Sequence, residues 1–286
     1  MYTLNIRGKL FSLARPQVMG ILNATPDSFY AASRVQTEEA IARRTAQIRA
    51  EGGTMVDVGG YSTRPGAAEV TPDEERARLA FALEVVRREW PEAVVSVDTF
   101  RADVARACVE DYGADIVNDI GGGMFDPAMF STVAALRVPY ILMHIHGTPQ
   151  TMHQPPRYDD CAVDVYRTLA ERMAELRALG VADVILDPGF GFSKTLDDNY
   201  RLFAGLTEFG RLDAPLLVGV SRKTMVWKLF GTSPDEALNG TTVLHTLALQ
   251  AGAHILRVHD VRAAVEAVEI VEKVQAAANE NLEMRD

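Results

Sequence analysis

The chain has 286 residues, of which 48% are hydrophobic, so it is long enough to bury a full globular core. With 29 basic and 39 acidic residues its formal net charge is −10, and this argues against binding to nucleic acids or anionic membranes, which need a cationic face. The sequence shows neither a membrane-spanning run nor the apolar core of a signal peptide. We therefore expect a cytoplasmic protein with one domain over residues 1–286.

The first predicted element is a β-hairpin over Tyr2–Leu13, which we expect to close the lower end of a barrel. Eight short apolar runs follow, and each precedes a polar or glycine-rich loop and then a helical pattern. Near-continuous Val, Ile and Leu runs are typical of strands covered on both faces, and hence of a parallel sheet. The runs are Val18–Leu22, Met55–Val58, Val94–Val97, Asp115–Val117, Tyr140–Met143, Val184–Leu186, Leu216–Val220 and Ile255–Val258.

The helix after the second run has the clearest start signals. Thr71 and Glu74 have the spacing of a capping box, and Pro72 occupies the first helical position. Four apolar residues then follow at helical spacing and predict one buried stripe: Leu79, Leu83, Val86 and Trp90. Strands that alternate with helices in this way predict a single TIM (β/α)8 barrel. A doubly wound sheet is the alternative, and the absence of a GxGxxG pattern after the first strand weighs against it.

Polar side chains stand where most of the predicted strands end, and a TIM barrel builds its active site at that end. Each of them alone is equally well explained as a helix N-cap. A set that converges on one rim is better explained by a functional site. The set is Asn23, Asp57, Asp98, Asn118, His144, Asp187, Ser221, Arg222, Lys223, Arg257 and His259.

Four of these residues indicate recognition of a flat, hydrogen-bonding heterocycle: Asp98, Asn118, Asp187 and Lys223. A buried carboxylate that faces a guanidine-like edge gains paired, charge-assisted hydrogen bonds. The alternative is a structural Asp–Lys ion pair across the barrel mouth, which would account for two of the four residues.

A second group indicates a phosphate site: Arg64, Arg257 and His259, with Asn23 as a neutral oxygen ligand. Phosphate sites after the seventh and eighth strands are frequent in this fold. Solvated surface charge is the alternative. Two long polar loops, Asn23–Thr37 and Tyr61–Thr71, follow the first two strands, and loops of this kind are typically lids or binding elements, although tolerated insertions would look similar.

Eight segments resemble the successive strand-and-loop motifs of the dihydropteroate synthases, a pterin-binding TIM-barrel family. The matches follow the family order and span residues 18 to 261, which makes them far more specific than any single motif. They are MGILNATPDSF, VDVGGYSTRPGA, SVDTF, GADIVNDIGGG, MHIHGTPQTM, ILDPGFGFSKT, VGVSRKT and GAHILRVHDV.

The resemblance implies a transferase of folate biosynthesis and a target of sulfonamides. Such an enzyme condenses 6-hydroxymethyl-7,8-dihydropterin pyrophosphate with p-aminobenzoate and gives 7,8-dihydropteroate and pyrophosphate. It implies an SN1-like loss of pyrophosphate, Mg²⁺ as the cofactor and a homodimer as the assembly.

The resemblance also implies a role for individual residues. The pterin-binding set is Asp98, Asn118, Met143, Asp187, Phe192, Gly219 and Lys223. The pyrophosphate set is Asn23, Arg64, Arg257 and His259, with Asn23 also a ligand of Mg²⁺. The p-aminobenzoate set is Thr63, Pro65 and Ser221. Asp98, Lys223 and Arg64 are the implied catalytic residues.

The chain departs from the family pattern in its two long loops. Residues 28–33 read SFYAAS where the family usually has SFSDGG, residues 59–63 read GGYST in place of GGEST, and Ala24 replaces a common valine. Two rival functions stay open at this point. A pterin-binding methyltransferase would share the barrel and the slot but would need no pyrophosphate anchors, and a non-catalytic pterin-binding paralogue would not need them either.

Overall fold

A computed structural model of the chain describes residues 2–24, 34–61, 70–148, 151, 154 and 156–283. The chain begins with two short antiparallel strands, β1 (Thr3–Ile6) and β2 (Lys9–Ser12), which form the predicted hairpin. Eight parallel strands follow in a second sheet. They are β3 (Gln17–Asn23), β4 (Met55–Gly59), β5 (Val94–Asp98), β6 (Ile116–Asp119), β7 (Tyr140–Met143), β8 (Val184–Asp187), β9 (Leu217–Val218) and β10 (Ile255–Val258).

The parallel sheet closes on itself. Its strand order is β8-β7-β6-β5-β4-β3-β10-β9, and a parallel bridge between Leu186 and Leu216 brings the two edges together. Helices surround this nearly closed barrel: α1 (Arg34–Ala50), α2 (Pro72–Glu89), α3 (Ala102–Glu110), α4 (Met129–Leu136), α5 (Cys161–Ala178), α6 (Leu196–Ala204), α7 (Thr224–Phe230), α8 (Leu238–Gln250) and α9 (Val261–Glu283). The predicted TIM barrel is confirmed. Within the described ranges no helix has the length and apolarity to cross a bilayer.

The predicted start of α2 is also confirmed. The Thr71 hydroxyl accepts a hydrogen bond from the Glu74 N–H at 3.3 Å, and the Glu74 carboxylate accepts one from the Thr71 N–H at 3.0 Å. Leu79, Leu83 and Val86 are fully buried along the helix. The cap therefore fixes where α2 begins, and the apolar stripe fixes which of its faces is buried.

The lower half of the barrel is filled by one apolar side chain from each of its eight strands. These are Met19, Met55, Val94, Ile116, Ile141, Ile185, Leu217 and Ile255. Leu4, Ile6 and Leu13 of the hairpin pack against this layer, so the hairpin closes the bottom of the barrel as predicted. Because side chains alternate along a strand, the next inward positions lie nearer the opposite end, and there the sequence becomes polar.

Several strands continue beyond the apolar runs that predict them. Asn23, Asp98 and Asp187 are the last residues of β3, β5 and β8, although none of them is apolar. The opposite difference occurs at β9, which keeps only two residues of the predicted Leu216–Val220 run. There the backbone leaves the ladder toward Arg222, which has a φ of 53°. The sheet therefore fixes the positions of the polar residues at the strand ends, whereas the loop after β9 fixes the position of the Ser221–Lys223 turn.

Candidate active site

The register of the barrel gathers the polar strand ends at one rim. Gly59 pairs with Asn23 on one side and with Asp98 on the other. Asp98 in turn lies opposite Asn118 across the next ladder. Farther round the barrel, Met143 and Asp187 are paired in the same way. Residues that are far apart in the chain are therefore neighbours at the carboxyl ends of the strands, where TIM barrels place their active sites.

A charged cluster spans the interior of the barrel just below this rim. The Arg257 guanidinium donates from Nε to Asp57 Oδ2 at 2.6 Å and from Nη2 to Asp98 Oδ2 at 2.8 Å. Asn118 donates from Nδ2 to the same Asp57 oxygen at 3.1 Å. Arg257 is therefore not a free cation, and a predicted contact with pyrophosphate falls to Nη1, for which no hydrogen bond is found within the described part of the chain.

Burial and neighbouring charge control the ionisation of this cluster. Burial raises the pKa of Asp98 to about 7, and although Arg257 opposes this shift, the negative charge of Asp57 adds to it. Burial alone would lower the pKa of Arg257, but Asp57 and Asp98 raise it above its usual value. The guanidinium consequently stays charged, while the Asp98 carboxyl is poised between its two forms at neutral pH.

Asp187 presents a buried carboxylate on the other side of the barrel mouth. Its Oδ1 accepts a hydrogen bond from the Gly189 N–H at 2.8 Å, and burial raises its pKa. Gly189 has a φ of 71°, and a Cβ there would lie 2.0 Å from the His144 carbonyl oxygen, so only glycine fits this turn. The structure contains no direct ion pair between Asp187 and Lys223, so the alternative of a structural Asp–Lys bridge is not supported by the described residues.

Lys223 lies above this part of the site. Its Nζ donates to the Phe190 carbonyl and stands 4.7 Å from the centroid of the Phe192 ring. Burial lowers the pKa of Lys223 to about 8, against the opposing effect of Asp187. The side chain is therefore an ammonium held over an aromatic face at neutral pH.

Phe192 and Met143, the predicted walls of the pterin slot, belong to one apolar cluster. Met143 is 4% exposed and packs in this cluster with Phe100, Ile120 and Ile145, and Phe192 lies against it. The rim thus combines an apolar wall with buried carboxylates, an amide and an ammonium. A site with this combination of groups is better suited to bind a flat, polar heterocycle than an open surface site is.

Gly219 leaves the space in which such a ring would lie. A Cβ added there would stand 3.8 Å from Lys223 Nζ and 3.9 Å from Arg257 Cβ, which are ordinary van der Waals distances. We expect Gly219→Ala to fold normally and to weaken pterin binding by about 1–3 kcal/mol, because the methyl group occupies ligand space.

Calorimetric titration of 6-hydroxymethyl-7,8-dihydropterin into Gly219→Ala measures this loss. Gly210→Ala is the matched control, because nothing lies within 4 Å of a Cβ at Gly210. Equal pterin affinity in both variants would place the ring elsewhere.

Ser221 and His259 form a second part of the rim. The Ser221 hydroxyl lies 3.1 Å from both the backbone N and the ring Nδ1 of His259. Burial, reinforced by Arg257, lowers the pKa of His259 to about 4, so the ring is neutral at pH 7. The predicted phosphate anchor can therefore offer a hydrogen bond but no charge. The Arg222 guanidinium binds the Asp260 carboxylate through Nε and Nη2 at 2.8 Å each. This ion pair links the loop that carries Ser221 to the loop that carries His259.

The surroundings of Asn23 show whether the residues present fit a magnesium site. Gly59 lies between it and Asp98, since a Cβ there would be in ordinary van der Waals contact with Asn23 Oδ1 at 3.6 Å and with Asp98 Oδ2 at 3.9 Å. The described residues contain no group of three or more His, Cys, Asp and Glu that could enclose a metal. One neutral oxygen with a carboxylate nearby fits Mg²⁺ that keeps several waters and is shared with substrate phosphates.

Three predicted site residues, Thr63, Arg64 and Pro65, lie outside the described residues, as do most of the two long loops. Their roles stay predictions. Two further residues of the site have no predicted role in the sequence analysis. Asp57 is predicted only as one polar strand end among many, and Lys194 only as part of the ILDPGFGFSKT motif, since a lone lysine in a polar loop has no pattern that separates it from a solvated one.

Comparison with known proteins gives the family. The family described as pterin binding enzyme matches residues 19–259. The dihydropteroate synthase of Escherichia coli (strain K12) is 42% identical over 274 residues, which is 95% of this chain and 96% of that one. The dihydropteroate synthase of Haemophilus influenzae is 37% identical over 273 residues, 95% of this chain and 97% of that one.

Solved structures agree with these relatives. Xanthomonas albilineans dihydropteroate synthase with 4-aminobenzoic acid superposes with a TM-score of 0.87 at 39% identity, over 96% of this chain and 98% of that one. Yersinia pestis dihydropteroate synthase in a sulfonamide drug complex gives a TM-score of 0.86 at 39% identity, over 96% of this chain and 100% of that one. The chain belongs to the pterin-binding enzyme family and, within it, to the dihydropteroate synthases, which are transferases.

Proposed function

We propose that the chain joins 6-hydroxymethyl-7,8-dihydropterin pyrophosphate to p-aminobenzoate and releases 7,8-dihydropteroate and pyrophosphate. The observation that carries the proposal is the polar slot at the barrel mouth. Asp98, Asn118, Asp187 and Lys223 meet there, beside an apolar wall that includes Phe192. The pterin ring has a guanidine-like edge, a carbonyl and a flat face, and each has a counterpart in this slot.

Asp187 is the partner that we assign to the guanidine-like edge. One of its oxygens is fixed by the Gly189 N–H, so the carboxylate is oriented before a ligand arrives. Two parallel hydrogen bonds to an ionised carboxylate are short and strong. Lys223 then donates to the ring carbonyl or a ring nitrogen, while its hold on the Phe190 carbonyl limits how far it moves.

The reaction follows from charge. The bond between the exocyclic carbon of the pterin and the pyrophosphate oxygen breaks, and the positive charge left on the carbon is delocalised into the ring. The Asp98 carboxylate, in its ionised form, stabilises that charge. The arylamine nitrogen then forms a bond to the carbon and loses a proton. No covalent enzyme nucleophile is required, and the described rim offers none.

The leaving group needs positive charge and hydrogen-bond donors. We assign this role to Arg257, whose Nη1 has no hydrogen bond within the described residues, and to the neutral His259 ring. Mg²⁺, bound with the help of Asn23, would neutralise the pyrophosphate charge. We assign Arg64 to the same anion, and Thr63, Pro65 and Ser221 to p-aminobenzoate. A sulfonamide copies the shape and charge of p-aminobenzoate, and we propose that it competes for the same place.

Pyrophosphate release distinguishes this function from its rivals. A pterin-binding methyltransferase and a non-catalytic pterin-binding protein would both leave dihydropterin pyrophosphate intact. We expect the purified chain to release pyrophosphate only when both substrates and Mg²⁺ are present. Sustained release over many turnovers at the same rate without p-aminobenzoate, or no release at all, would contradict the proposal.

We further propose that the chain forms a homodimer. Val243 and Leu247 on α8 are 52% and 46% exposed, and Ile270 and Val274 on α9 are 62% and 59% exposed. Each pair is four residues apart and therefore on one helix face. Apolar surface of this kind on neighbouring helices favours association, and two-fold contacts are the commonest closed form. A cytoplasmic location and a single domain over residues 1–286 stay predictions.

The dimer predicts the outcome of one substitution. Leu247→Glu places a charge in the apolar patch, so we expect it to convert the dimer into a monomer in light scattering. A wild-type chain that is already monomeric would contradict the assembly. Val163→Glu makes a similar change from an apolar to an acidic side chain on α5, where Val163 is 50% exposed, and as the control it should leave the mass unchanged.

A further inference from the structure

Lys194 is a buried amine that the proposed reaction does not use. It lies between β8 and α6 and is 8% exposed. Its Nζ donates to the carbonyl oxygens of Gly189 at 2.9 Å and Phe192 at 3.0 Å, and it lies 3.1 Å from His144 Nδ1. An ammonium group has three hydrogens, and each of them here has an acceptor.

The two carbonyls belong to the segment that shapes the pterin slot, Gly189–Phe192, which we call the slot loop. At its start, the Gly189 N–H orients Asp187. In its middle, the Phe190 carbonyl accepts from Lys223. At its end, the Phe192 ring lies under the Lys223 ammonium. Lys194 therefore binds the first and last residues of a loop that also contacts Asp187 and Lys223.

The same contacts tie the slot loop to the loop after β7. His144 is 2% exposed, and its backbone N–H donates to the Asp187 carbonyl at 2.9 Å. Burial, with a smaller effect of Lys194, holds the pKa of His144 well below its usual value, so its ring is neutral and can accept from Lys194. Ser193 adds a second tie, because its hydroxyl donates to the His146 carbonyl at 2.6 Å.

Stability alone does not explain a lysine at this position. Burial lowers the pKa of Lys194 to about 7, although Cys161 and Asp187 oppose the shift, which means that the ammonium is costly to bury. Even a buried ion pair can often be replaced by well-packed apolar side chains without loss of stability, and the described partners of the Lys194 ammonium are two carbonyls and a neutral imidazole. The benefit that offsets the cost of burying the Lys194 ammonium is therefore expected in the pterin slot.

We propose that Lys194 is a positioning residue of the pterin slot. By holding both ends of the slot loop, it sets Asp187, Phe192 and Lys223 in place before the pterin arrives. The proposal rests on the proposed function only in its choice of a pterin as the ligand.

Lys194→Met tests this, because methionine keeps the length and removes all three donors. We expect its affinity for 6-hydroxymethyl-7,8-dihydropterin to fall about tenfold, because the Phe192 carbonyl loses its side-chain donor, the Gly189 carbonyl is left with the Phe192 N–H at 3.2 Å, and the loop relaxes. Its melting temperature should stay close to that of the wild type, because the lost hydrogen bonds and the removal of a buried charge act in opposite directions. The KM for p-aminobenzoate at saturating pterin pyrophosphate should change less than twofold. Lys194→Gln, which keeps two donors, should recover part of the pterin affinity.

Lys9→Met on the exposed hairpin is the control and should bind pterin as the wild type does. Wild-type pterin affinity in Lys194→Met would overturn the positioning role, and so would a loss of affinity that Lys194→Gln does not relieve. If Lys194→Met fails to fold, wild-type-like binding by Lys194→Gln supports the role and a full loss of binding contradicts it. Failure of the proposed function is a separate result, because it would be seen as absent turnover in the wild-type chain.

Discussion

Replacement of Arg257 by methionine is expected to lower the free energy of unfolding by about 3 kcal/mol at pH 8. The Arg257 side chain is only 20% exposed, and its guanidinium is the shared partner of Asp57 and Asp98. Its removal leaves two buried carboxylates without their counter-charge, and breaking a buried pair from one side costs about 3–5 kcal/mol. The lower end of that range applies because part of the side chain reaches solvent.

The loss should depend on pH in a definite direction. The pKa of Asp98 is raised to about 7 in the folded chain, so protonated Asp98 favours folding below its unfolded pKa, and this contribution disappears as pH rises through the folded pKa. Without Arg257 the folded pKa of Asp98 rises further. The difference between variant and wild type is therefore largest above the folded pKa of Asp98 in the variant, and it shrinks as pH falls toward 7, below which Asp98 is protonated in both folded proteins.

Urea denaturation of Arg257→Met at pH 8 and pH 5.5 measures both effects. Arg43→Met is the matched control, because Arg43 is 71% exposed and forms an i,i+4 surface pair with Glu39, a kind of pair that contributes less than about 1 kcal/mol. A loss of unfolding free energy in Arg257→Met that is no larger than that in Arg43→Met, or that is equal at both pH values, would contradict a buried charge cluster around Arg257.

The second large effect is expected at Asp187. Asp187→Asn should weaken pterin binding by about 2–3 kcal/mol, which is about 30- to 150-fold in affinity. The amide keeps an oxygen for the Gly189 N–H, which now bonds to Asp187 Oδ1. Its NH₂ group then faces the donors of the guanidine-like edge, so one favourable contact becomes a contact between two donors.

Asp183→Asn is the control for this variant. Asp183 lies just before the same strand at the bottom of the barrel, where its carboxylate accepts from the Asn5 N–H at 2.8 Å. Calorimetric titration of 6-hydroxymethyl-7,8-dihydropterin should separate the two variants clearly. Affinity within twofold of wild type in Asp187→Asn would remove this residue from the slot.

The fold could be predicted from the sequence because its signals are local. The apolar runs mark the strands, and the Thr71–Glu74 capping box marks the start of α2. The ends of the strands are harder to predict, because Asn23, Asp98 and Asp187 remain paired in the sheet although they are polar. Their backbones pair with neighbouring strands, and that pairing is not visible in local composition.

The site could be predicted as a set of residues but not as a network. The polar strand ends mark the rim, and the family motifs name most of the slot. The pairing of Arg257 with Asp57 joins residues 200 positions apart, and only the closed barrel brings them together. Lys194 could not be predicted for a similar reason, because its burial depends on how the slot loop folds over it.

The activity itself is tested most directly by analysing the products of a reaction that contains both substrates and Mg²⁺. Chromatography with mass detection should show 7,8-dihydropteroate and pyrophosphate in equal amounts, and both should fall sharply in Asp187→Asn but not in Asp183→Asn. Pyrophosphate without dihydropteroate would make the chain a hydrolase, and intact substrates would make it a binding protein. Either result would contradict the synthase function.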